Sequence, residues 1–388
     1  MLHPTYQSED AAGKANMSPF IIFTSESVCA GHPDKICDQI SDAIVDAVLK
    51  QNPNGRAAIE TLVTKNRVVI AGEVKTDRPI NYQKIAREQI KRLGYTDPKF
   101  KFTNKAQIDV FVHSQSSEIA RGVDQAGAGD QGMMFGLACG ETESLMPLPI
   151  TLSHALARKI DESRENKTLA YLRPDGKTQV SIGYKNNQPQ KITQVILAVP
   201  HAENIPLEKV KTDLYKKVVV PVLEKFGYSL PKKNLIVNGT GVWHIGGPTS
   251  DAGVTGRKIV VDTYGGYARV GGGAFSGKDP TKVDRSGAYA ARFIAKNIVA
   301  HQLAKRAEVR LSYCIGQPKP LMQEVETFGT AQKSVAVIAD FTKKLIDTSV
   351  TGILETLDLR KPIYLPTAAY GHFGRKEFSW EKIVDLYP

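Results

Sequence analysis

Residues 271–286 read GGGAFSGKDPTKVDRS. Three consecutive glycines let a backbone approach a ligand closely. Lys278 and Lys282 follow, interleaved with Asp279 and Asp284. Glycines, fixed cations and carboxylates are what a polyphosphate and its magnesium ions require. The spacing G-x-x-x-x-G-K, from Gly272 to Lys278, is nearly a P-loop, which would continue with a Ser or Thr hydroxyl for magnesium. Asp279 stands there instead, so the segment reads as a phosphate site of another kind.

Other candidates have plainer alternatives. Gly31-His32-Pro33-Asp34-Lys35 opens a helical pattern. Pro suits a first helical turn, and the free amides there attract anions, so His32 and Lys35 could touch phosphate and Asp34 could hold magnesium. Read alone, the motif is a helix cap, since Asp is favourable in a first turn anyway. Gly127 to Gly132, GAGDQG, formally matches G-x-G-x-x-G, but polar loop precedes it and no βαβ context surrounds it. It reads as a tight glycine turn. Glu60 and Glu73 interrupt the apolar runs AAIETLV and VVIAGEV; they need a cation or metal if buried, and face solvent if alternation puts them outside. Asp251 to Lys258, DAGVTGRK, is expected to lead into a strand IVVD, with Arg257 and Lys258 on opposite strand faces. Leu172 to Lys177, LRPDGK, reads as a turn before a strand.

The elements that must position these groups recur in three thirds. The first carries a helix over 33–50, strands over 57–63 and 67–74 joined by a turn at Asn66, a helix over 82–93 and a strand over 108–113. The middle carries a helix near 153–163, strands near 179–184 and 192–199, a long helix over 207–226 and a strand near 234–237. The last carries a helix over 284–305, strands at 308–314 and 324–328, and helices after Ser334. This pattern predicts an α+β protein of three similar sheet-plus-helix units, each sheet covered by helices on one face. The polar stretch from Ser114 to Ala128 separates the first two thirds and reads as a surface loop or a mobile lid.

At 388 residues the chain exceeds the usual span of one core. The first twenty residues contain no signal-peptide core, and no window approaches a membrane span. The four cysteines form no C-x-x-C pair, which points to neither zinc nor a disulfide framework and fits a cytoplasmic setting. The net charge of +11 admits anionic partners, but the basic residues are interspersed with acids and form no nucleic-acid module.

Together, FTSESV at Phe23, GHPDK at Gly31, GAGDQG at Gly127, LRPDGK at Leu172, GRKIVVDTYGG at Gly256, GGGAFSGKDPTKVDRS at Gly271 and TAAYGHFGR at Thr367 resemble, in order, the motifs of S-adenosylmethionine synthetases (methionine adenosyltransferases). The likeness runs from about Phe23 to Trp380. It implies that family's pseudo-threefold α+β fold, with an N-terminal extension at 1–20, disordered by this reading, and domains at 21–117, 118–244 and 245–388. It implies attack of methionine sulfur on the ribose C5′ of ATP, departure of the tripolyphosphate, and its cleavage to diphosphate and phosphate.

Carried over by motif, His32, Lys177, Arg257 and Lys278 would be catalytic. His32, Asp175, Lys177, Trp243, Asp251, Arg257, Lys258, Ala274 and Lys278 would bind ATP. Glu73, Gln115, Asp251, Lys282 and Ile315 would hold methionine. Asp34 and Asp284 would hold two Mg2+ ions, and Glu60 would bind one K+ per subunit. The family implies a homodimer or homotetramer with active sites at the subunit interface, and no nucleic-acid or membrane partner. The chain departs from the family pattern at Val242, Trp243 and His244, at Val270 in place of histidine, at Cys29-Ala30, at Tyr171 and in a short stretch between Asp124 and Gly127. Alternatives are a diverged regulatory paralogue and a tripolyphosphatase lacking alkyl transfer. Loss of a metal aspartate or phosphate lysine would favour the first, and a broken methionine site the second.

Overall fold

A computed structural model describes residues 20–114 and 127–385. Gln115 and the polar stretch it begins, residues 1–19 and the last three residues lie outside the described part. The first third contains β1 (Ile21–Val28), α1 (Pro33–Gln51), β2 (Arg56–Thr64), β3 (Arg67–Lys75), α2 (Tyr82–Arg92) and β4 (Gln107–Ser114). The middle third contains β5 (Gly132–Cys139), α3 (Leu148–Glu165), β6 (Lys177–Lys185), β7 (Gln188–Ala198), α4 (Leu207–Leu214), α5 (Val220–Lys225) and β8 (Leu235–Val237). The last contains β9 (Gly253–Val254), α6 (Ile259–Asp262), α7 (Val283–Ala300), β10 (Arg306–Tyr313), β11 (Met322–Glu326), α8 (Val335–Leu345) and α9 (Val350–Thr356).

Three sheets form, in the orders β4-β3-β2-β9, β1-β6-β7-β8 and β11-β10-β5. Each packs against one long helix: α1 on β2, α3 on β1 and β6, and α7 on β5 and β10. The α+β, three-unit architecture is therefore as expected, but no sheet is built from one third alone. β1 crosses into the middle sheet, β5 into the last and β9 into the first, each at a sheet edge. These three are the strands that the sequence pattern did not reveal. β5 is the Gly-, Met- and Ala-rich GMMFGLAC, β9 has two residues, and β1 is exposed over much of its length. Covering an edge with a borrowed strand satisfies its backbone groups and ties the units together.

Two further expectations are corrected. IVVD is one turn of helix, α6, and not a strand; the neighbouring strand is the earlier Gly253-Val254. The helix expected over 207–226 is continuous in path but contains a π-turn at Tyr215–Val219, where the Val220 N–H reaches Tyr215 O. Pro221, which has no N–H and whose ring crowds the carbonyl four residues back, accounts for the wider turn. The GAGDQG turn runs into strand β5 rather than a helix, in line with the rejected dinucleotide reading.

The core divides into two clusters. One joins α1, α7 and the first and last sheets, and the other surrounds α3 and the middle sheet. Helix α1 is buried without a break from Pro33 to Val45, including Asp34, Lys35, Asp38, Gln39 and Asp42. A helix buried on all sides with charges inside must satisfy those charges within the fold.

Candidate functional site

The buried charges of α1 form a stripe. Asp34, Asp38, Asp42 and Asp46 are spaced four residues apart, so they share one helix face. Together they accept backbone N–H groups from three C-terminal segments, at residues 254–256, at Gly277 and at residues 364–365. Val254 N–H donates to Asp34 Oδ1 at 3.0 Å, Gly256 N–H to Asp38 Oδ1 at 2.8 Å, and Gly277 N–H to Asp42 Oδ1 at 2.9 Å. Tyr364 and Leu365 N–H groups both donate to Asp46 at 2.9 Å. Two of the held turns precede cations, Arg257-Lys258 and Lys278. Asp38, Asp42 and Asp46 went unremarked in the sequence, although their i, i+4 repetition in a helical pattern was visible there.

At the head of the stripe, His32 caps α1: its Nδ1 accepts the Asp34 N–H at 3.2 Å. Burial first, then Lys258, Lys177 and Lys35 against the opposing pull of Asp34, lower its pKa to about 3. The imidazole is thus neutral, with Nδ1 accepting and Nε2 left as a donor suited to an anion. Lys258 Nζ lies 2.6 Å from Asp34 Oδ2, and Arg257 Nε lies 3.8 Å from Oδ1. The expectation that only one of these cations faces a given ligand fails, because the segment is a loop entering a helical turn and both reach the same carboxylate. Burial alone would raise the Asp34 carboxyl, but the Lys258 ammonium and the Val254 amide outweigh it and hold it below its usual value. Behind it, Lys35 lies 2.8 Å from Asp38 and 2.5 Å from Asp262. Burial raises both carboxyls, yet together they keep the Lys35 ammonium well above its usual range.

The glycine–lysine segment makes a second cluster. Lys278 Nζ lies 2.5 Å from Asp284 Oδ2, in the first turn of α7. A Cβ on Gly273 would sit 2.3 Å from the Asp284 carboxyl, so the glycine run wraps that carboxylate closely. Gly277, at φ +85°, presses on the Ile59 carbonyl of β2, where no side chain fits. Asp279 is fully buried; it accepts the Ala57 N–H at 2.8 Å and both Thr281 groups, and Lys282 Nζ lies 2.5 Å away. The residue in the P-loop hydroxyl position is therefore a structural pin to β2, and Lys282 is held beside it.

Glu60 and Glu73 lie on the face of the first sheet turned away from α1. Register places Glu73 opposite Ala58 and His113, while Ala58 bridges to Lys278. Although Glu60 is exposed on this face, the atoms around it raise its carboxyl, with Lys278 opposing and Asp38 adding. Leu62, Val69, Ala71 and Phe111 share the face, with Phe111 66% exposed.

Asp175 accepts the Gly176 N–H at 2.7 Å and the Gly247 N–H at 2.8 Å, and burial raises its pKa to about 6. It joins the loop before exposed Lys177 to the loop after Trp243. Trp243 is half-buried, and its Nε1 donates to Ile245 O at 2.8 Å. Asp251 is exposed, Ala274 packs against Gly256, and Ile315, 57% exposed, bridges to Ala128 in the GAGDQG turn. Asp34 and Asp284 are thus each held by their own lysine, without a contact between them among the described residues.

Three family models match the chain in order: the S-adenosylmethionine synthetase N-terminal domain over residues 20–117, the central domain over 125–243 and the C-terminal domain over 245–382. The chain belongs to the S-adenosylmethionine synthetase family. A complete, ordered set of these domains makes it an enzyme of the methionine adenosyltransferase class, and the family implies ATP and methionine as substrates. At two departures from the usual synthetase pattern the side chains are apolar and open: Val242 is 60% and Val270 40% exposed. No helix among the described residues is long and apolar enough to cross a membrane.

Proposed function

We propose that the chain converts ATP, methionine and water to S-adenosylmethionine, diphosphate and phosphate, by attack of the methionine sulfur on ribose C5′ and subsequent tripolyphosphate hydrolysis. The observation that carries this reading is the pair of lysine–carboxylate clusters, Lys258–Asp34 and Lys278–Asp284, each set on a glycine turn and each with further donors at hand. The leaving group is a whole tripolyphosphate, so catalysis depends mainly on neutralising charge along it. Lys177, Arg257, Lys258 and Lys278 supply fixed cations, and His32 donates a neutral N–H to the phosphate beside the ribose. Trp243 offers a face for adenine, alongside Asp175, Asp251 and Ala274. Glu73, Gln115, Asp251, Lys282 and Ile315 bind methionine in this reading.

No group of three or more histidine, cysteine or acidic side chains poised for a metal occurs among the described residues. The donor set nevertheless fits Mg2+, which favours one or two carboxylates with substrate phosphate oxygens completing its shell. Asp34 and Asp284 would each hold one Mg2+, and Glu60 a K+; bound there, the ions would offset phosphate charge. A second copy of the chain, docked on the open face of the first sheet, would cover Leu62 and Phe111 and bring Glu60 and Glu73 into an interface. The same association would let Asp34 of one protomer face Asp284 of its partner. A cytoplasmic setting and domain limits at 21–117, 118–244 and 245–388 complete the reading.

The test is product analysis after incubating the protein with ATP, methionine, Mg2+ and K+. S-adenosylmethionine, diphosphate and phosphate are expected together. Phosphate release without a sulfonium product would replace this reading with that of a tripolyphosphatase.

A further inference from the structure

Helix α3 presents His154 and Arg158, one turn apart, to a cleft of about 360 Å3. Its other walls are the helical segment bearing Lys225 and the C-terminal stretch from Tyr370 to Arg375. None of the lining residues belongs to the candidate site. Four cations face the cleft, Arg158, Lys159, Lys225 and Arg375, against the single acid Glu162, which lies 3.7 Å from Lys159.

The remaining charges are poorly matched. Arg158 lies 5.0 Å over the Tyr370 ring and has no carboxylate partner among the described residues. Arg375 donates through one terminal nitrogen to Pro366 O and Gly371 O, but its Nε has no hydrogen-bond acceptor and lies 3.8 Å from Glu377. Burial first, and then the proximity of Arg158, lower the Arg375 pKa to about 10. His154, 9% exposed, pairs its Nδ1 with Ser27 Oγ at 2.8 Å, and its Nε2 lies against Gly371. Buried donors are ordinarily paired, and two adjacent guanidiniums without a shared carboxylate are the arrangement that a multiply charged oxyanion satisfies.

We propose that this cleft is an anion site, separate from the candidate active site, that takes a compact phosphate-class oxyanion between Arg158 and Arg375, with Lys225 adding charge at its rim. Free phosphate, diphosphate and the phosphates of a nucleotide share this one chemistry and are separated by the test. Calorimetric titration of the full chain with sodium diphosphate should resolve one binding event at the candidate active site and one in the cleft. The double variant Arg158→Gln/Lys225→Gln should lose the second event or weaken it by at least about tenfold. Its thermal unfolding and its S-adenosylmethionine turnover should stay as in the unmodified chain.

The variant Lys278→Met should weaken the other event and spare this one, so failure of the functional reading and failure of the cleft are distinguishable. Orthophosphate saturating the cleft in Lys278→Met marks a site for free phosphate, and ATP binding there without orthophosphate marks a nucleotide's phosphates; either result supports the site. A wild-type chain with no event beyond the one sensitive to Lys278, or a double variant that titrates like the wild type, overturns it.

Discussion

Asp38 in the middle of α1 accepts the Gly256 N–H at 2.8 Å, across 218 residues of chain. Gly256 immediately precedes Arg257 and Lys258, the two cations that reach Asp34. A fully buried helical carboxylate thus sets the backbone from which the cations project.

Replacing Asp38 by Asn turns one oxygen into an N–H2 donor and weakens the hold on Gly256 or on Lys35. Because small misplacements of positioning groups are costly, kcat should fall by roughly tenfold to a hundredfold, with the KM for methionine little changed. Steady-state kinetics with both substrates varied checks this. A wild-type kcat in a folded variant would show that the Gly256 bond does not set the cations.

Lys278 is paired with Asp284 at 2.5 Å and would be a clamp on the departing polyphosphate. Lys278→Met removes one cation from the developing polyanion and should lower kcat/KM for ATP by roughly 10²–10³-fold. Quenched-flow measurement of S-adenosylmethionine formation is the direct readout. Unchanged turnover would mean that the residue lies outside the chemistry.

Asp46 holds two backbone amides, yet burial raises its pKa to about 6 against an ordinary value near 4. The folded state therefore keeps a proton that the unfolded chain has lost. The proton-linked stability is complete below about pH 4 and disappears as pH rises through 6. The stability of wild type relative to Asp46→Asn should accordingly increase by about 1–2 kcal/mol between pH 7 and pH 4.5, read from urea unfolding. A difference that shrinks on acidification would contradict the raised pKa.

Phe111 stands on the open face of the first sheet, in register with Ala71 beside Glu60. If a second copy covers that face, Phe111→Arg places a charge in an apolar interface. Sedimentation should then show a shift to monomer, with activity lost in parallel at micromolar protein. An active monomer would remove the need for a shared site.

Much of the chemistry was legible in the chain as written. The cap geometry of His32-Pro33-Asp34 and the start of α7 beside Asp284 follow from local rules that hold wherever the segment is placed. The seven ordered motifs pointed to the family that the three domain models match. The role of Asp279 was not legible. In the sequence it is a charged residue where a P-loop hydroxyl would stand, and only packing against Ala57 makes it a buried pin.

What the sequence determined by itself was the inventory of glycines, cations and carboxylates and the helices and strands whose periodicity is local. Tertiary structure decided which elements share a sheet, because a strand such as β9 carries too few residues for any pattern and exists only where an edge awaits it. It also decided the partners of the α1 aspartates. Their hydrogen bonds span 220, 218, 235 and 318 residues, and a carboxylate on a helix face does not reveal from sequence alone whether water or a distant backbone amide will meet it.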